Sequence, residues 1–193
     1  MNEENVTPEN VYKLLEKRYS PVTFSNQNVE EEKLFQLFEA ARWAPSSFND
    51  QPWNFIYGIK GKDEIYNKLF DCLLEPNQIW AKYAPVLMLS IANMISPTTQ
   101  KENPYAFHDT GMAVSNLLMQ ATSMGLYAHQ MGGYSKKQAI ESMKIPKTHS
   151  PVAMIAIGYI GNTEDFPEEL QQKGNKKRTR KLLKDFVFNS EFL

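Results

Sequence analysis

The sequence predicts a mixed α/β layer fold, and three observations carry that reading. Apolar residues recur at helical spacing in some segments and run continuously or alternate in others, and the two kinds of segment interleave along the chain. The chain has 193 residues, enough for one domain with a sizeable core. Apolar residues make up 42% and charged residues 22%, so no segment needs a fibrous or disordered account.

Thr7-Pro8-Glu9 reads as a helix start, with Thr7 as cap and Pro8 in the first turn, and the helix runs to about Lys17. Pro21 stops it, and Phe24 is the first apolar anchor beyond. Asn28-Val29-Glu30-Glu31 has the form of a capping box, with Asn28 as cap. Leu34, Phe35, Leu37, Phe38 and Ala41 then make an apolar stripe at helical spacing, which is core packing. Trp53 to Ile59 alternates as a strand and ends in a turn at Gly58 to Gly61. Asp63 to Leu74 is helical through Ile65, Leu69 and Leu73, and Pro76 breaks the pattern before Asn77-Gln78-Ile79-Trp80.

Val86 to Ala92 is a continuous apolar run, the mark of a strand buried on both sides. Ser96 to Pro104 is a polar loop. His108 to Met124 carries the strongest helical pattern, with Ala113, Leu117 and Ala121 on one face and Gly125 at the C′ position. Asn116 and Gln120 project near that face and need partners, from a neighbouring helix or a second subunit. Leu126 to Met131 reads as a short strand ending at Gly132-Gly133. Ser135 to Gln138 is another capping box, opening a helix to about Met143. Ser150 to Tyr159 is a second buried strand, and Asn162 to Lys177 is polar loop or frayed helix. The end, from Arg178, carries Leu182, Leu183, Phe186, Val187, Phe188 and Phe192 with no partner element in view. Such a tail suits docking on another subunit, or else on its own domain.

Composition and motif searches exclude several classes. A net charge of −1 gives no global field for nucleic acid or membranes. Cys72 is the only cysteine, which rules out an internal disulfide framework and suits a reducing cytoplasm. The N-terminal M-N-E-E-N is unlike a signal or transit peptide, and no apolar run is long enough to cross a bilayer. His108, His129, His149 and Cys72 have no metal-ligand spacing. No G-x-S-x-G, G-x-G-x-x-G or G-x-x-x-x-G-K occurs.

Two kinds of feature remain. Ala41 to Phe55, A-R-W-A-P-S-S-F-N-D-Q-P-W-N-F, joins a helix to a strand through Pro45, Ser46, Ser47, Asn49, Gln51 and Pro52. That stiff polar loop can present amides and carbonyls to a flat heterocycle, or can be an ordinary connection. Arg18 with Ser20 sits at a helix-ending turn, and Arg178 and Arg180 lie two apart near the C-terminus. Arginine pairs well with phosphate; the plain alternative is solvated charge. No aromatic residue interleaves Lys176 to Lys181, which argues against nucleic acid.

Together these stretches resemble the FMN-dependent nitroreductase family, over nearly the whole chain from Arg18 to about Phe188. Arg18-Tyr19-Ser20 with Phe24 looks like the family's N-terminal phosphate motif, and Arg178-Thr179-Arg180 like its C-terminal clamp. The loop with Pro45, Ser46, Ser47, Asn49 and Gln51 looks like the family's hallmark loop, which lines the flavin partly from the partner subunit. Asn77 falls in a segment whose asparagine approaches the flavin. Asp109-Thr110-Gly111 with Ala113, Asn116 and Leu117 matches the long dimer helix. Met131-Gly132-Gly133 is similar to the loop whose amides approach flavin N5 and O4; glycine permits such an approach.

The resemblance implies an α+β fold in three layers, a central mainly antiparallel sheet flanked by helices, in an intertwined homodimer. It implies one domain over 1–193, with a tail from about 178 to 193 reaching the partner. The function implied is hydride transfer from NAD(P)H to nitroaromatic, quinone or related acceptors by a ping-pong mechanism. Alternatives are dehalogenation, flavin fragmentation, or flavin binding without turnover. FMN carries the chemistry, so no catalytic side chain and no metal are assigned. Two positions depart from the family: Val22 stands where a basic residue is common, and Trp80 where Lys or Arg often supports reduced flavin.

Overall fold

The computed structural model describes residues 13–174 and 177–191. The helix start expected at Thr7-Pro8 lies outside them, as do Lys176 of the basic run and Phe192 of the tail. Strands β1 (Trp53–Ile59), β2 (Val86–Asn93), β3 (Tyr127–Met131) and β4 (His149–Gly158) form one sheet in the order β1-β2-β4-β3. Every neighbouring pair is antiparallel.

The inner strands β2 and β4 are the two continuous apolar runs of the sequence. Val86, Met88, Ile155 and Ile157 face one side of the sheet, and Leu87, Leu89, Met154 and Ala156 face the other. Helices cover both sides. Helix α2 (Glu31–Arg42) and helix α5 (Ala106–Ser123) bury Leu34, Leu37, Ala41, Ala113, Leu117 and Ala121 against the first. Helices α3 (Glu64–Asp71), α4 (Glu75–Ala81) and α6 (Lys136–Ser142) bury Tyr66, Leu69, Trp80, Ala81 and Ala139 against the second. Leu170 of α7 (Glu168–Gly174) joins that layer, and a short α1 (Lys13–Lys17) precedes them all. This is the expected three-layer α+β arrangement. Each fully buried leucine contributes roughly 1.5–3 kcal/mol. The register shifts between Ser90 and Ile91, where the buried Ser90 hydroxyl donates to the Ala153 carbonyl (3.0 Å) and accepts from the Ala153 amide (3.2 Å).

Side chains cap two of the helices. Asp63 accepts from the Tyr66 amide (3.0 Å) at the start of α3, and Ser135 from the Gln138 amide (3.2 Å) at the start of α6. Gly125 follows α5 with φ +75°, a left-handed conformation that glycine adopts without a Cβ clash. Two boundaries differ from the sequence reading. Asn28 does not cap α2: Glu30 holds the N-cap position with no side-chain cap bond, and its carboxylate instead accepts from the Tyr159 hydroxyl (2.6 Å). Pro76 does not break a helix but lies in the first turn of α4, where a missing N–H costs no intrahelical bond. The partner of Asn116 is the neighbouring helix, since its Nδ2 donates to the Ala40 carbonyl (3.2 Å).

Helix α3 sits directly on β1. A Cβ added to Gly58 would lie 2.2 Å from the Tyr66 nitrogen and 2.5 Å from its Cα. Tyr66 is buried and its hydroxyl donates to the Ala84 carbonyl (2.8 Å), while burial pushes the phenol pKa up to about 12. The obstructing atoms are backbone and cannot rotate away. Gly58→Ala should therefore lower stability by about 3 kcal/mol, read as a lower urea midpoint with an unchanged slope. A midpoint equal to that of the unaltered protein would show that α3 can lift off β1 at little cost.

Candidate functional site

A cavity of about 270 Å3 opens between the turn after α1, the segment after β4 and the chain beyond α7. Arg18, Lys173, Arg178 and Arg180 line it together with Ser20, Thr23 and Thr163, and no Asp or Glu does so among the described residues. The Arg178 guanidinium donates to the Arg18 carbonyl (2.9 Å) and lies 5.8 Å above the Tyr19 ring. Arg18 reaches the Ser20 hydroxyl at 3.5 Å. Two arginine groups about 160 residues apart thus converge. Burial, then the Arg180 and Arg178 cations, pull the Arg18 pKa below its ordinary value. The guanidinium stays charged, so the crowding favours an anion between these groups.

Strand β3 runs from this cavity to the Gly132-Gly133 turn. At its near end Tyr127 meets Tyr19 edge-on, with ring centroids 4.9 Å apart. His129 lies 2.8 Å through Nδ1 from the Pro21 carbonyl, which can only accept, so Nδ1 carries the proton. The other face of the His129 region is closed by Trp80, stacked on the imidazole at 4.4 Å and on Phe24 at 6.2 Å. Trp80 is buried; it wedges α4 against β3 instead of facing open space. At the far end, Met131 is buried, and the amides of Gly132 and Gly133 donate to no protein acceptor among the described residues. The Gly133 carbonyl accepts from the Leu74 amide (3.0 Å) and from Asn77 Nδ2 (2.9 Å). A Cβ on Gly133 would come within 2.7 Å of that Asn77 nitrogen. The Asn77 side chain therefore fixes the turn with its nitrogen, and its oxygen has no protein partner among the described residues.

The loop between α2 and β1 has an unusual backbone. Phe48, Asn49 and Gln51 all have positive φ (53°, 56° and 47°), although none is glycine. Left-handed conformations cost about 1–2 kcal/mol for an ordinary residue. Hydrogen bonds hold them: Gln51 N–H donates to the Ser46 hydroxyl (3.0 Å), Ser47 N–H to the Asp109 carboxylate (2.9 Å), and Thr98 to Asp50 (2.6 Å). Asp109 is buried at the start of α5 and also contacts His108 Nδ1 at 2.9 Å. Phe48 projects outward, 75% exposed.

The expected site residues thus fall into two groups within the chain. Arg18, Tyr19, Ser20, Arg178 and Arg180 gather at the cavity and connect through β3 to Asn77, Met131, Gly132 and Gly133. Pro45, Ser46, Ser47, Asn49 and Gln51 sit at the start of α5, and no hydrogen bond or ring contact among the described residues joins them to the first group. Sequence reasoning passed over Thr23, Thr163, Lys173, His129 and Asp109. A lysine in a polar stretch carries no signal of its own, and the backbone carbonyl that fixes His129 has no sequence signature. Asp109 had one: an acid in the first turn of the strongest helix, where the dipole favours it. The donor set of the first group fits a phosphate ester of a flat heterocycle, with cations and hydroxyls at one end of β3 and two backbone amides at the other.

Burial holds the His129 pKa below its ordinary value, with the nearby Arg18 cation adding to the effect. Between the lowered folded value and about 6.5 the unfolded chain binds a proton that the folded chain refuses. Stability conferred by His129 is complete above about pH 6.5 and is lost as pH falls through the folded value. Urea unfolding from pH 7.5 to 5 should show a steeper loss for the unaltered protein than for His129→Gln, whose amide can still donate to Pro21. Parallel pH profiles would show that His129 takes no part in the acid loss.

The nitroreductase family model matches residues 15–159. A solved oxidoreductase containing FMN superposes with a TM-score of 0.89 at 32% identity, covering 100% of this chain and 98% of that one. An oxygen-insensitive NADPH nitroreductase of Helicobacter acinonychis is 26% identical over 179 aligned residues, which cover 76% of this chain and 81% of that protein. An FMN reductase [NAD(P)H] of Bacillus subtilis is 27% identical, covering 77% of this chain and 65% of that protein. The matched span contains the Arg18 turn, the hallmark loop, α5 and the Gly132-Gly133 turn, and on these grounds the chain belongs to the nitroreductase family.

Proposed function

We propose that the protein takes hydride from NADH or NADPH and passes the electrons to nitroaromatics, quinones or a related acceptor, both reactants using one FMN site in turn. The protein is an NAD(P)H-dependent FMN oxidoreductase. The observation that carries this reading is the gathering of Arg18, Ser20, Arg178 and Arg180 around one acid-free cavity. The FMN in the structure 32% identical to this chain, and the relatives named for NADPH and NAD(P)H, support it.

When bound, FMN supplies the hydride acceptor and donor. The chain's part is to bind, orient and exclude water. Arg18, Ser20, Arg178 and Arg180 hold the phosphate through charge-assisted bonds, and Tyr19, under Arg178, shapes the wall. The amides of Gly132 and Gly133, Met131 and the Asn77 oxygen would hold the ring system, whose reacting edge the two amides would polarise. Pro45, Ser46, Ser47, Asn49 and Gln51 complete the site from the partner of a homodimer. Exposed Phe35, Trp43, Phe48 and Phe107 suit such an interface, as do Leu182, Leu183, Phe186 and Val187 of the tail. In this arrangement the chain beyond Arg180 reaches the partner. Among the described residues no helix is long and apolar enough to cross a membrane. The buried, unpaired Cys72 fits a cytoplasmic setting.

Nicotinamide and acceptor compete for the same open space, so each must leave before the other enters. The purified protein should be yellow, and initial rates at several acceptor concentrations should give parallel reciprocal lines. Converging lines, with a ternary complex trapped by a dead-end nicotinamide analogue, would mean two separate sites. An acceptor screen separates nitro and quinone reduction from dehalogenation and flavin fragmentation.

The dimer has its own test. Obligate interfaces are large and core-like, so truncation after Arg180 should weaken dimerisation in sedimentation velocity at low concentration. A flavin-loaded monomer of the full chain in the same experiment would overturn the two-subunit site.

A further inference from the structure

We propose that Lys173 is a fourth cation of the phosphate cavity, held off the ligand by Glu169 until an anion enters. The inference rests on the reading of this cavity as the flavin phosphate site. Lys173 lies in the last turn of α7 and lines the cavity with Arg18, Arg178 and Arg180. Its Nζ is 2.6 Å from Glu169, one turn earlier on the same helix. Glu169 does not line the cavity.

Three physical points favour a transfer of the lysine from Glu169 to a phosphate. The pair is solvent-exposed, with 46% of the Lys173 side chain and 63% of the Glu169 side chain accessible. Exposed i,i+4 pairs contribute little, because water screens them and two long side chains lose freedom. A phosphate dianion among converging cations is a stronger partner than one exposed carboxylate. The second point is the direction of α7. Its carbonyl end meets the cavity at Gly174, and carbonyl ends carry partial negative charge. A cation in that last turn cancels a repulsion the phosphate would otherwise meet. The third is reach: lysine is a flexible point charge, able to leave Glu169 without backbone movement.

The arginines are anchored differently. Arg178 is spent in part on the Arg18 carbonyl and Arg180 on the Thr179 carbonyl (2.7 Å). Among the described residues Lys173 is the cation of the cavity that pairs with a side chain outside it. Glu169 thereby acts as a competitor that lowers phosphate affinity and keeps the unliganded cavity from concentrating four free cations.

The test compares FMN with riboflavin, which lacks the phosphate, by flavin fluorescence titration of the flavin-free full-length protein at fixed ionic strength. Lys173→Met should weaken FMN about tenfold and leave riboflavin unchanged. Lys173→Arg should restore most of the loss. Glu169→Gln should tighten FMN by about two- to threefold, again without effect on riboflavin. Both positions are exposed, and circular dichroism checks that each variant is folded. Full FMN affinity in Lys173→Met, beside a large loss in the Arg178→Ala/Arg180→Ala double variant, would overturn the role of Lys173 and keep the cavity. Unchanged FMN affinity in both would overturn the cavity as the phosphate site, and Lys173 with it. Equal loss of FMN and riboflavin in Lys173→Met would mark a purely structural role and also overturn the proposal.

Discussion

Strands β2 and β4 bury side chains on both faces, and each functional segment hangs from that doubly covered pair. Covering both faces forces a helical layer onto each side, and the layers do different work. One carries α2 and α5, which position the strained loop at residues 45–51. The other carries α3, α4 and α6, which position the Gly132-Gly133 turn through Leu74 and Asn77. Strand β3 pairs with β4 alone, and this edge position leaves its two ends free to meet the Arg18 turn and the glycine turn. His129, midway along it, ties the strand to Pro21 and stacks on Trp80. A shift of β3 relative to β4 would therefore disturb both ends of the site at once.

The strained loop shows how a buried charge can be used. Asp109 takes the Ser47 amide with a carboxylate that is almost fully buried. Leaving that amide unsatisfied would cost about 1–3 kcal/mol, comparable to the cost of one left-handed residue nearby. The carboxylate also sits in the first turn of an 18-residue helix, where the dipole lowers the cost of its charge. The strain at Phe48, Asn49 and Gln51 is thus offset by contacts behind the loop, and its outer face stays open for polar contacts.

Much of this was legible in the sequence, and the misses have physical causes. The two inner strands were readable because burial on both faces leaves an unbroken apolar run. The cap at Ser135 was readable because capping acts over three residues. Asn28 failed by the same rule: the spacing fits a capping box, but Glu30 is taken up by Tyr159, a contact 129 residues away. The burial of Trp80 was not legible for a similar reason, since it is decided by Phe24 and His129 from other elements. The convergence of the arginine clusters was legible only when they were read as a pair, because each alone resembles solvated charge. Lys173 was not readable, since α7 buries only Leu170 and shows almost no apolar pattern. The left-handed loop residues were hidden because glycine, the usual marker, is absent there.

The cavity also couples ligand to tail. Arg178 attaches the chain beyond α7 to the rest of the domain through the Arg18 carbonyl and the Tyr19 ring. Without an anion, Arg18, Arg178 and Arg180 repel one another across a partly buried space, which works against that attachment. An anion changes the sign of the contribution, turning three mutually repelling cations into three that share one counter-charge. Any ligand that binds only this closed arrangement stabilises it by mass action. In the proposed site the groups assigned to the phosphate therefore also set how firmly the tail is held. If the tail lies on a second subunit, phosphate binding and subunit association share part of one free energy, and neither is fixed independently of the other.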